Sequence, residues 1–206
     1  MYQRLFNYIN QIEEEIFHIS DERRSILQNL IDEIIQREVD NLATRLTFIC
    51  THNSRCSQLC QVWATVANHY YQISGVSSFS GGTEETAFHK NAIMALEEAG
   101  FTVDKPIGNN PHYSVRFAAN EQPVVCYSKR YDHMANPKTN FYAVMNCAEA
   151  ESNCPIVAGA NKIIPIRYQD PKKYDDTSRE TLAYNNCCRT IATEMFYVFH
   201  MVALKM

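Results

Sequence analysis

Residues 48–61, FICTHNSRCSQLCQ, join a short apolar run to a cysteine, a small polar loop and what reads as the first turn of a helix. Such a strand would deliver Cys50 to the top of a sheet, with Thr51, His52, Asn53, Ser54, Arg55 and Cys56 wrapping a concavity above the helix start. Backbone N–H groups at a helix start lack intrahelical partners, and the helix dipole adds about half a positive charge there. Together they suit a tetrahedral oxyanion and lower the pKa of a nearby thiol toward a reactive thiolate. His52 and Asn53 fit a loop that needs unusual backbone angles, and Ser57 is placed to donate a hydrogen bond to the thiolate. The bland alternative is a buried cysteine at a strand end.

Seven further cysteines, Cys56, Cys60, Cys126, Cys147, Cys154, Cys187 and Cys188, are many for a cytosolic chain, the compartment assigned below. None forms a CxxC pair, so a zinc ribbon is not expected. Cys147 and Cys154 lie seven residues apart, roughly 10 Å of helical rise, so pairing them requires that segment to bend or unwind. Two unlinked packing cysteines are the other reading. Cys56 and Cys60, spaced i, i+4, share a helix face headed by Cys50, and these three thiols make a candidate set for a soft ion such as arsenite or Cu(I). A Cys50–Cys56 disulfide, or simple packing, are alternatives. Cys187 and Cys188 diverge by about 100° on a helix and read as packing.

The elements that must hold these residues follow from periodicity. Leu5, Ile9, Ile12 and Ile16 recur at helical spacing, Ser20 is placed as an N-cap, and Ile26, Leu27, Leu30, Ile31, Ile34 and Ile35 form a second apolar stripe. Residues 1–40 are therefore expected as a helical hairpin on the core formed by 41–206. Covering one face is its plain role, and a homodimer through these helices is another. From Leu46 onward LTFIC, VSSFSGG, HYSVRF, PVVCYS, FYAVMN and KIIPIR read as strands, with Pro165 marking an edge. Residues 56–71, 91–99 (with Gly100 as C-terminal cap) and 178–204 read as helices. Alternating strands and helices imply a parallel sheet covered on both faces, with ligands beyond the carboxyl ends of its strands, where Cys50 and Cys147 both fall.

With 206 residues, one domain with a sizeable core is expected. The net charge of −4 argues against nucleic-acid binding as the main role. No apolar window is long enough for a transmembrane helix, and Arg and Glu interrupt the N-terminus too often for a signal peptide, so a cytoplasmic location is expected.

FICTHNSRCSQ resembles the catalytic loop of low-molecular-weight protein tyrosine phosphatases and, more closely, of the related thioredoxin-coupled arsenate reductases. SFSGGTEETAFHKNAIMALEEAGF, VMNCAEAESNCP and YQDPKKYD extend the likeness over residues 46–200, and the hairpin resembles an extension of bacterial relatives. The resemblance implies an α/β three-layer sandwich with a central parallel sheet, an arsenate or phosphate-ester substrate, no cofactor, and thioredoxin as partner. It further implies Cys50 as nucleophile, Cys147 and Cys154 as a disulfide relay, and Asp170, in Asp-Pro, as general acid.

One position departs from that pattern. Arg55 is fifth after Cys50 and Cys56 is sixth, where the family places the arginine that grips the oxyanion. One helical step rotates a side chain by about 100°, so Arg55 is expected to point away from the pocket unless the loop re-forms. Losing one such donor costs about 10²–10³ in rate. The competing expectation is therefore a weakened thiol-based binder or redox sensor.

Overall fold

The computed structural model describes residues 1–153 and 156–206. Helices α1 (Gln3–Glu15) and α2 (Asp21–Val39) precede β1 (Thr44–Cys50), α3 (Cys56–Tyr70), β2 (Val76–Gly82) and α4 (Lys90–Ala99). Three short strands follow, β3 (Thr102–Asp104), β4 (Tyr113–Arg116) and β5 (Val124–Cys126). The chain closes with β6 (Phe141–Met145), α5 (Ala148–Asn153), β7 (Ala160–Pro165) and α6 (Glu180–Ala203).

Strands β1, β2, β6 and β7 form one parallel sheet in the order β2-β1-β6-β7. Alternation along the strands assigns its two faces. Leu46 and Phe48 of β1, with Tyr142 and Val144 of β6, join the main core beneath α3, α4 and α6. Ile49, Phe141, Ala143 and Met145 form a smaller core with Ala150 of α5 and Val157. This is the expected three-layer sandwich, and β7 with Pro165 lies at the sheet edge as expected.

HYSVRF and PVVCYS do not join that sheet. Strand β4 pairs antiparallel with β5 on one side and with β3 on the other, an arrangement the sequence pattern did not reveal. The loops between them are too short to carry a helical crossover, so antiparallel pairing is the available solution.

Helices α1 and α2 belong to the main core, but each packs on α6 rather than on the other, so they do not form the paired hairpin expected. Leu5, Ile9, Ile12, Leu27, Leu30, Ile31 and Ile34 are buried in that core, so both apolar stripes are engaged within the chain. Trp63 of α3, fully buried, stacks on Tyr8 of α1 at 5.7 Å and meets Phe101 and Phe196 edge-on at 5.1 and 6.2 Å. Ser20 caps α2 by accepting from the Arg23 amide, and Gly100 ends α4 at φ 109°. Among the described residues no helix is long and apolar enough to cross a membrane.

Candidate active site

β1 ends at Cys50, and the chain turns through residues 51–55 before α3 begins at Cys56. Neighbouring segments hold the loop by its carbonyls. Thr51 O accepts from the Glu84 amide at 2.8 Å, His52 O from Ser128 Oγ at 2.7 Å, and Ser54 O from the His89 amide at 2.9 Å. Asn53 adopts φ 46°, whereas His52 is not among the described positive-φ residues. The Asn53 side-chain Nδ2 donates to Ser57 Oγ at 2.9 Å, and its Oδ1 accepts from the Lys129 backbone at 3.0 Å and from Gln58 at 3.2 Å. Asn53 is thus the hub that sets the loop's curvature, a role its spacing in sequence does not disclose. Gly82 allows the close approach, because a Cβ there would lie 2.7 Å from Thr51 O and 2.8 Å from Asn53 N.

The Cys50 sulfur lies 3.0 Å from Ser57 Oγ, and the Ser54 and Ser57 amides also point at it. Burial and the neighbouring Cys56 nevertheless push the Cys50 thiol above its ordinary value, against the pull of those hydrogen bonds. The expectation of a lowered thiol therefore does not hold here. A guanidinium at the sixth position would favour the thiolate, whereas a second thiol there opposes it.

Arg55 does not point away. It lines the same cavity, of about 230 Å³, as Cys50, Thr51, His52, Ser54 and Cys56. Its φ of −134° and ψ of −93° are those of a residue ahead of the helix, so the 100° helical step does not apply to it. The guanidinium grips Asp170 in a fork, Nε to Oδ1 at 2.8 Å and Nη2 to Oδ2 at 3.2 Å. Asp170 lines the cavity too and also accepts from the Lys172 amide at 2.9 Å.

Cys147, just beyond β6, lies with Cys50 on one side of the sheet and in the wall of the same cavity. Its sulfur is 3.5 Å from Thr51 Oγ1, and burial raises its thiol above the ordinary value. Cys154 lies outside the described residues. Cys56, at the sixth position, faces α6, with its sulfur 4.0 Å from that of Cys187, a contact not anticipated across 131 residues. Cys60 is buried in the core, and among the described residues no three His, Cys, Asp or Glu side chains gather to hold a metal, so Cys50, Cys56 and Cys60 do not form a ligand set. Cys188 packs as expected, accepting from the Trp63 indole at 3.2 Å.

No family model and no curated protein sequence matches the chain. Solved structures do. The YwlE arginine phosphatase, as a mutant with a phosphorylated active-site serine, superposes with a TM-score of 0.51 at 11% identity, over 76% of this chain and 94% of that one. A low-molecular-weight phosphotyrosine phosphatase from Vibrio cholerae O395 gives 0.49 at 13% identity, over 75% and 94%. A thioredoxin-dependent arsenate reductase from Corynebacterium glutamicum gives 0.48 at 16% identity, over 90% and 72%. At these identities the likeness is one of fold, and that fold is the one its sequence motifs imply.

Proposed function

We propose that the chain is a thiol enzyme acting on a tetrahedral oxyanion, with Cys50 as nucleophile, in the manner of arsenate reductases or low-molecular-weight phosphatases. The observation carrying this reading is that Cys50, Arg55, Cys147 and Asp170 line one cavity of about 230 Å³ beyond the carboxyl ends of the parallel strands. An oxyanion there competes with Asp170 for the Arg55 fork. Its arrival moves the guanidinium onto two anion oxygens and frees Asp170 to protonate the departing oxygen.

With arsenate, the Cys50 sulfur displaces one protonated oxygen as water and forms a thiol–arsenate adduct. Cys147 then attacks the Cys50 sulfur. The S–As bond breaks with its electron pair going to arsenic, which leaves as arsenite, and a Cys50–Cys147 disulfide remains. Cys154 attacks Cys147 in turn, releasing Cys50 and leaving a Cys147–Cys154 disulfide for a thioredoxin-type reductant. With a phosphate ester, water hydrolyses the Cys50 phosphoenzyme and no other cysteine takes part.

A weakened catalyst serving as a thiol-based redox sensor is the second reading. It is favoured by the raised thiol of Cys50 and by the thiol that stands at the sixth loop position.

The deciding assay follows arsenate-dependent oxidation of reduced thioredoxin and, separately, aryl-phosphate hydrolysis. The reductase reading expects the first activity to vanish in Cys50→Ser, Cys147→Ser and Cys154→Ser. Hydrolysis that survives Cys147→Ser selects the phosphatase. The absence of both activities in the wild type overturns the enzyme reading in favour of the sensor.

A further inference from the structure

Cys56 opens α3 at the rim of the anion cavity, and Cys187 lies within α6. The two helices pack against each other in the main core, and here they bring two sulfurs to 4.0 Å. That is about 2 Å longer than a disulfide bond and sits at van der Waals contact for sulfur. The neighbouring cysteines are differently placed, since Cys60 is enclosed in the core and Cys188 turns to Trp63. Cys187 is half-buried and lines a second cavity of about 410 Å³, whose wall also includes Asp170. The pair therefore lies between two cavities, with Cys56 buried and Cys187 the more exposed of the two.

We propose that Cys56 and Cys187 constitute a second redox site, a dithiol that hydrogen peroxide converts to a disulfide joining α3 to α6. The inference goes beyond the oxyanion chemistry and does not depend on turnover at Cys50. The Cys187 thiolate attacks one peroxide oxygen and the O–O bond breaks, giving a Cys187 sulfenic acid and, after protonation, water. The Cys56 sulfur then loses its proton and attacks the Cys187 sulfur, expelling hydroxide, which takes up that proton. Overall, two thiols give up two electrons and two protons, and peroxide becomes two waters. The hydrogen bond with Cys187 and burial both hold the Cys56 thiol well above its ordinary value. Cys187, nearer solvent, is accordingly the sulfur that meets peroxide first. Oxidation replaces the thiol in the wall of the anion cavity with a cross-link and pins the head of α3 to α6.

The test treats the intact protein with hydrogen peroxide, blocks remaining thiols, and maps disulfides by mass spectrometry after tryptic cleavage. Cleavage at Arg55, Lys90, Arg179 and Arg189 places Cys56 and Cys187 in the peptides 56–90 and 180–189, and fragmentation separates them from Cys60 and Cys188. The expected product is a Cys56–Cys187 linkage that is absent after dithiothreitol, with the thermal midpoint of the oxidised wild type raised by several degrees. Cys187→Ser, at a half-buried position, should lose both the linked peptide and the rise. Recovery of Cys56 unlinked, or linked to Cys50, in oxidised wild type would overturn the proposal. So would the same thermal rise in Cys187→Ser.

Discussion

Arg55 and Asp170 close on each other across the mouth of the Cys50 cavity in a two-point fork of 2.8 and 3.2 Å. Asp170 is about half exposed, so the pair itself stabilises the fold little. Under the proposed chemistry, the closed fork keeps both side chains from acting on an oxyanion. Asp170→Asn should therefore tighten phosphate binding several-fold by releasing Arg55, while lowering aryl-phosphate turnover about 10²-fold through loss of the acid. Phosphate protection of Cys50 against iodoacetamide reads the first effect and steady-state kinetics the second. A parallel fall in both would make the fork purely structural.

Burial raises the Cys50 thiol, and the thiol at the sixth loop position raises it further. Cys50 is accordingly expected to be mostly protonated at neutral pH, its alkylation rate climbing as pH rises through the raised value. Cys56→Arg replaces an opposing thiol with a guanidinium and should shift that profile to lower pH, with turnover rising about 10²–10³-fold. Cys56→Ser, which removes only the thiol, should shift it the same way by less. A profile that does not move in either variant would separate Cys56 from the electrostatics of Cys50.

What was legible beforehand was what is local in the chain. The Ser20 cap, the Gly100 terminus, the Pro165 edge and the Cys50 loop each rest on a few neighbouring residues. The contacts that redefine the site are not local. Arg55 meets Asp170 across 115 positions and Cys56 meets Cys187 across 131, and no spacing rule connects either pair. Arg55 escapes the expected rotation because it precedes the helix, where the helical step does not hold. The Cys50 thiol is raised rather than lowered because burial of its sulfur outweighs the loop's hydrogen bonds, and burial is a property of the fold that no local pattern displays. Of the antiparallel strands, β4 and β5 are legible in the sequence and β3 is not, and their pairing depends on loop lengths rather than on composition.

Gly82 ends β2 where the anion loop crosses it. A methyl group at this position would meet backbone atoms of Glu84, Thr51 and Asn53 at 2.5, 2.7 and 2.8 Å, none of which can rotate away as a flexible side chain does. Gly82→Ala should displace the loop, cost about 1–3 kcal/mol in urea unfolding, and abolish phosphate protection of Cys50. Retained protection would show that the loop tolerates the shift, and that the approach of the two backbones does not shape the anion site.

Helix α2 is joined to α6 by charge as well as by packing. Arg23 of α2 donates to both oxygens of Glu194 on α6 at 2.6 and 2.7 Å, and the glutamate is almost fully buried. Truncating the arginine leaves a carboxylate enclosed without its partner, a loss of about 3–5 kcal/mol where a surface pair would lose under about 1. Arg23→Ala should therefore unfold at markedly lower urea. Arg23→Met combined with Glu194→Met, which removes both charges and keeps the volume filled, should recover most of the difference. The measurement is a double-mutant cycle in urea at neutral pH. If Arg23→Ala cost no more than a surface pair, α2 would be resting on α6 through its apolar stripe alone, and the ion pair would carry no part of the attachment.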